Sequence, residues 1–399
     1  MRLYNSESRE IENFTVRDGH VGIYVCGVTP YDTTHIGHAF TFLTFDILVR
    51  YFRHKGIDVT YVQNVTDIDD DVLRKAREFG MNWRDLADQE TRKFLQDMRD
   101  LNAVPFDHYT AATDHITEMH AITQRLLDAG FAYIVNGSVY FEVSKDKEFG
   151  KLSHLSIDEM LPIANERGNN PDDPNKRDPL DFVLWQAAAP GEPTWESPWG
   201  PGRPGWHIEC TAMSTKYLGQ SIDIHGGGGD LIFPHHECEI AQAENATGIE
   251  PFARFWMHVA MVNYDHEKMS KSLGNLVLAH ELLKSWSPDA IRLYLFSNHY
   301  RTEWEYLDEE MQRWSDAASV LSVARHHQSG SDPSNIACGA HRYAFFAALE
   351  DDLDTPSAIR ELSNLGEAIT QASPDADVSR AQETLAELGD MLGLSFVTL

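Results

Sequence analysis

The chain reads as an α/β protein: a Rossmann-like, doubly wound parallel sheet with an inserted subdomain and a C-terminal helical domain. Three observations lead there. The apolar run 21–25 ends in Cys26-Gly27, and an amphipathic run begins near His38, giving strand, loop and helix. A β-branched run, 58–65, follows a glycine stop at Gly56 and leads into a second helical stretch. A further strand, 221–225, appears only after a long polar, Pro/Gly-rich interval, so the sheet is split by an insertion.

The elements follow in order. Residues 1–20 read as a short strand and turn. The helix after His38 carries Phe42, Phe45, Leu48 and Phe52 on an apolar face. Thr66-Asp67-Ile68-Asp69-Asp70-Asp71 opens the next helix, where a carboxylate caps free amides and suits the helix dipole. Helices are expected over 83–101 and 111–130, and a strand over 138–143. Residues 165–177 and 190–204 are loops by composition. The run Gly226–Gly229 reads as the glycine-rich exit of strand 221–225, open to flat contact with a base or ribose. Ser287-Pro288 and Thr355-Pro356 start helices, and 326–334 is a linker. The expected division is 1–104 and 206–300 for the two halves of the catalytic fold, 105–205 for the insertion and 301–399 for the helical domain.

Bulk properties exclude several classes. Among 399 residues, 62 acidic against 33 basic side chains give a net charge of −29. That is not a generally basic nucleic-acid binder, although a cleft can carry a field opposite to the net charge. Four widely spaced cysteines do not make a secreted disulfide scaffold and suit a reducing compartment. No signal peptide is visible, and no apolar run reaches the roughly 18 residues a membrane helix needs. The expectation is a monomeric cytoplasmic enzyme that does not engage a membrane.

Three motifs carry chemistry. In His35-Ile36-Gly37-His38, the glycine admits a bulky flat group and the histidines donate to phosphate oxygens as charge builds. In Lys268-Met269-Ser270-Lys271-Ser272, two lysines in a small-residue loop suit a clamp on a polyphosphate. Cys26, Cys210, His235 and Glu239 are a candidate tetrahedral zinc set, with His235 and Glu239 at i and i+4 on a helix after Pro234. Cys238 and His236 point about 100° away on an ideal helix and are left out. Asp230 is placed to accept from a ribose hydroxyl or an ammonium.

The two distant signatures together resemble those of class I aminoacyl-tRNA synthetases. The wider set resembles cysteinyl-tRNA synthetases over residues 1 to about 300, and more weakly through the helical tail. The resemblance implies ATP-dependent activation of L-cysteine to cysteinyl-AMP, with Mg²⁺ on the phosphates, then transfer to tRNA(Cys). It implies Zn²⁺ on Cys26, Cys210, His235 and Glu239, a cysteine pocket of Gly27, Thr66 and Trp206, and an ATP site of His35, Gly37, His38 and Asp230. It makes Lys268 and Lys271 the mobile clamp, with Lys271 nearest the transition state. A thiolate-binding metal separates cysteine from serine without editing.

Other stretches resemble a sister family, the mycothiol-pathway cysteine ligases, which pass activated cysteine to the amine of an amino-sugar–inositol. These are Thr29-Pro30-Tyr31-Asp32, the 166–181 loop, Pro190-Gly191-Glu192-Pro193, Gly274-Asn275-Leu276-Val277, and a tail that stops short of an anticodon-binding domain. Glu239 and Ile222-Asp223-Ile224-His225 resemble the tRNA enzyme instead. Arg292, Arg301, Arg313, Arg325 and Arg342 are the basic candidates for a tRNA path. A third alternative is a non-catalytic paralogue that binds cysteine or nucleotide; the intact signatures speak against it.

Overall fold

The computed structural model describes residues 1–31, 34–269 and 275–397, with nothing said of the side chains of Glu267 and Lys268. Its centre is a five-stranded sheet in the order Ala253–Val259, Ile222–Gly228, His20–Val28, Asp58–Val65, His108–Ala111, all parallel. These strands are near-continuous apolar runs because helices cover both faces. The order reverses at His20–Val28, so loops at its carboxyl end diverge and leave a crevice.

The helix Ile36–His54 explains much of the packing. It buries Phe40, Phe42, Leu43, Phe45, Leu48, Val49 and Phe52, a stripe too wide for one partner. One side meets the sheet, and the other meets the helices Pro288–Phe296, Cys338–Glu350 and Ser379–Met391, with Asp308–Arg325 and Thr355–Thr370 completing the same core. Phe45, Leu349 and Leu385 thus share one continuous core. Burying each such side chain stabilises by about 1.5–3 kcal/mol. Gly56 follows the helix at φ +74°, where a residue with a Cβ is strained.

The expected start of the insertion was residue 105, but the chain leaves the parallel sheet only after Ala111. A helix, Ile116–Ala129, and a four-stranded antiparallel sheet follow: Ala132–Val135, Ser138–Phe141, Phe182–Ala187 and Gly202–Pro204. The insertion packs on the opposite face of the central sheet and shares a second core with Tyr24, Val62 and Ile208.

Two readings of the sequence change. Gly226, Gly227 and Gly228 belong to the strand itself, not to its exit. A Cβ on Gly226 would lie 2.0 Å from Phe45 Cζ, so the glycine exists to admit that ring. Arg292 is not on a nucleic-acid path. It is fully buried and bonds Asp46 and the carbonyls of Leu101 and Leu392. Arg301, Arg313 and Arg342 pair with Asp352, Glu310 and Glu387. Among the described residues no helix is long and apolar enough to cross a membrane.

Candidate active site

A cleft of about 470 Å³ opens at the carboxyl ends of the central strands. Cys26, Gly27, His35, Gly37, His38, Thr66, Trp206, Cys210, Asp230 and His235 all line it. Glu239, on the helix Glu237–Thr247, is fully buried behind the lining residues Cys26 and His235. Lys271 lies outside the described residues, as does the side chain of Lys268.

Each residue is placed by its local backbone. Cys26 lies two residues before the end of the strand His20–Val28, and the next amide, Gly27 N–H, donates to Asn64 Oδ1 at 2.8 Å. A Cβ on Gly27 would lie 1.7 Å from the Asn64 carbonyl oxygen, so only glycine lets these strand ends close. Trp206 and Cys210 stand four apart on the helix Trp206–Leu218 and so share one face. Arg167 reaches from the insertion to the carbonyls of Asp230 and Phe233, fixing the turn that carries Asp230.

His35 caps the helix Ile36–His54. Its Nδ1 accepts from Gly37 N–H at 3.1 Å and His38 N–H at 3.4 Å. With Nδ1 accepting, the neutral ring carries its proton on Nε2. The His35 and His38 rings stack with centroids 3.7 Å apart. The backbone beyond the lysine motif runs beside them: Ile36 N–H donates to Val277 O at 2.8 Å, and Ala279 N–H to Thr34 O at 2.9 Å. Met269 packs near Gly37, its Cε 3.6 Å from where a Cβ would stand.

Cys26, Cys210, His235 and Glu239 offer ligand atoms within 4.8 Å of one another, and all four are buried. Glu239 Oε1 lies 3.4 Å from Cys26 Sγ and 3.1 Å from His235 Nε2. Burial pushes the Cys26 thiol well up, and nearby Cys210 and Glu239 push it further. Burial, then Cys210, raises the Glu239 carboxyl well above its ordinary value. Burial drives His235 well below its own. A divalent cation reverses the penalty on the thiols and the carboxyl and needs neutral imidazole, so this donor set fits zinc.

The sequence missed His225 and His236. His236 Nε2 is 3.3 Å from Cys26 Sγ, and His225 Nε2 is 3.0 Å from Glu239 Oε2. With Cys26 and Glu239 they form a second buried group of metal-ligand geometry. Ideal helix angles turn His236 about 100° from His235. The chain kinks at Phe233, extended at φ −136°, ψ 134°, and His235 and His236 stand four and three residues before Glu239, so both face it across one helical turn. His225 sits mid-strand beside the glycines and gave no signal of its own.

A family model described as tRNA synthetases class I (C) catalytic domain matches residues 12–316, and one described as DALR domain matches 344–397. A cysteine–tRNA ligase of Dehalococcoides mccartyi is 42% identical over 402 residues, covering 100% of this chain and 87% of its own. An L-cysteine:1D-myo-inositol 2-amino-2-deoxy-alpha-D-glucopyranoside ligase of Thermomonospora curvata is 43% identical over 374 residues, covering 94% and 89%. The fold matches Mycobacterium tuberculosis methionyl-tRNA synthetase in complex with methionyl-adenylate, with TM-score 0.65 and 17% identity, covering 94% and 89%. Signature geometry, fold and full-length similarity agree: this chain belongs to the class I tRNA synthetases, in the family of the C-type catalytic domain.

Proposed function

We propose that the chain is a cysteine–tRNA ligase: it activates L-cysteine with ATP to cysteinyl-AMP and transfers the cysteine to tRNA. The observation that carries this is the buried quartet Cys26, Cys210, His235 and Glu239, the first three of which line the cleft that His35 and His38 border. Cys26, Cys210, His235 and Glu239 would hold zinc, which would supply an affinity for a thiolate that a serine hydroxyl does not match. Thr66, Trp206 and Gly27 enclose the amino acid. His35 and His38 donate to the α- and β-phosphate oxygens while the cysteine carboxylate attacks the α-phosphorus and pyrophosphate leaves. Lys268 and Lys271 neutralise the departing charge, and Mg²⁺ accompanies the ATP. Catalysis is positioning and charge stabilisation. The four free cysteines suit a reducing cytoplasm.

A specific observation favours a second acceptor. A cavity of about 1030 Å³ adjoins the first, sharing Tyr31, Trp206 and Asp230. Its wall carries Asp69, Asp70, Asp71, Glu166 and Asp173 against Arg167, Lys176 and Arg203. That excess of carboxylates suits a hydroxyl-rich amine such as an amino-sugar–inositol better than a polyanion. The test measures cysteine-dependent AMP release and product with total tRNA or with glucosaminyl-inositol. Charging of tRNA upholds the first reading. Acceleration by the amino sugar alone replaces it with the second.

A further inference from the structure

The strands His20–Val28 and Asp58–Val65 fall out of step at one place. Val25 pairs with Gln63 and Val28 with Val65, so Cys26 and Gly27 together stand opposite Asn64 alone. This is a β-bulge, rare between parallel strands, and bulges beside active sites re-aim the side chains next to them. It falls on Cys26, of the candidate metal set, and on Gly27, of the cleft wall. A bulge costs a backbone group its partner in the ladder, and a buried group needs another.

The Asn64 side chain supplies that partner. Asn64 is 1% exposed, and its Oδ1 accepts from Gly27 N–H at 2.8 Å. A backbone N–H only donates, so the carboxamide atom facing it is the oxygen. That turns Nδ2 toward Thr66, and it donates to Thr66 Oγ1 at 3.4 Å. Nδ2 has no lone pair, so Thr66 receives this bond and points its own proton elsewhere. Beyond it, Thr66 N–H donates to Val28 O at 3.1 Å, which restores the step past the bulge. One carboxamide thus bridges Gly27 and Thr66, which line the cleft from neighbouring strands.

We propose that Asn64 is a positioning residue for the amino-acid substrate: its carboxamide closes the bulge at Cys26–Gly27 and holds Gly27 and the Thr66 hydroxyl at the spacing that encloses cysteine. This rests on the reading of the cleft as one that activates cysteine. A shift of about 1 Å in groups that orient a substrate is costly to its use. The test uses the full-length, zinc-loaded chain and cysteine-dependent pyrophosphate exchange. In Asn64→Ala the KM for cysteine rises about 10-fold or more, the scale of two lost buried hydrogen bonds. The KM for ATP and the zinc per chain stay as in the unaltered chain. Thr66→Val removes one end of the same bridge, so the double variant falls short of the product of the two single losses.

A lowered melting temperature with the KM for cysteine unchanged overturns the proposal, because that is what a carboxamide kept only for folding gives. An equal rise in the KM for ATP, or single losses that multiply fully in the double variant, also overturns it. Should Asn64→Ala fail to fold, Asn64→Thr decides by the same comparison of cysteine with ATP. Threonine suits a strand, and its hydroxyl, one bond nearer the backbone, is too short to span both partners. An unaltered chain with no cysteine-dependent exchange overturns the functional reading itself, and this inference with it. An active unaltered chain with both Michaelis constants normal in the Asn64 variants overturns this inference alone.

Discussion

Ile36 N–H donates to the carbonyl of Val277 at 2.8 Å, a bond that joins the start of the first signature helix to the segment after the second. His35 sits at this junction and is both helix cap and cleft wall. Asparagine also caps helices well. His35→Asn therefore keeps its melting temperature within a few degrees while losing roughly 100-fold or more in pyrophosphate exchange, a typical cost of removing one transition-state donor. Calorimetry and exchange on the same preparation separate the two roles. Normal exchange would remove His35 from the chemistry.

The metal prediction discriminates between two overlapping ligand sets. Cys210→Ser and His235→Asn reduce zinc per chain and cysteine-dependent exchange together, whereas His225→Asn leaves the metal bound. Metal analysis after dialysis reads this directly. Zinc lost in the His225 variant and kept in the Cys210 variant would assign the ion to Cys26, His225, His236 and Glu239 instead.

Arg292 and Asp46 form an ion pair with 0% and 2% of their side chains exposed. Asp46 also accepts from Arg50 Nε at 3.1 Å and Val104 N–H at 2.7 Å, so it ties the first long helix to the helix Pro288–Phe296 and to the segment after Trp83–Asp100. Asp46→Ala leaves a buried guanidinium without its counter-charge and costs about 3–5 kcal/mol. Urea denaturation measures it. A loss below about 1 kcal/mol would mean that water reaches Arg292.

Gly226→Ala places a methyl against the Phe45 ring and costs about 1–3 kcal/mol by overpacking. Adding Phe45→Leu to that background returns part of the loss. A double variant less stable than Gly226→Ala alone would contradict the contact.

Asp69 gives a pH dependence with a defined sign. Burial raises its pKa to about 7, Asp71 and Asp70 add to this, and the Val72 N–H that it caps opposes it. In the unfolded chain it titrates near ~4. Between about pH 4 and 7 the folded chain holds a proton that the unfolded chain releases, so this group's contribution to stability falls as pH rises. Asp69→Asn keeps the cap and removes the titration. The melting temperature of the unaltered chain relative to Asp69→Asn therefore declines from pH 5 to pH 8. A constant difference would show that Asp69 is ionised throughout.

The split α/β fold, both signatures and the residue types of a candidate metal quartet are legible in the sequence alone, because these depend on local periodicity and on residue types with few other uses. Cys26 and Cys210 are legible as partners only through resemblance, since nothing local relates them. Tertiary structure alone decided three things. It turned the glycine run into strand, because Phe45 on a distant helix needs the space. It brought His236 to Cys26, because the chain kinks at Phe233 and the strand carrying Cys26 packs against the helix start, a contact that no local pattern encodes. It buried Arg292 and Glu209, whose charge in the sequence reads as solvated surface, because the helix faces that cover them come from parts of the chain far away. Side-chain direction and burial are properties of packed pairs of elements, and a single segment does not encode its partner.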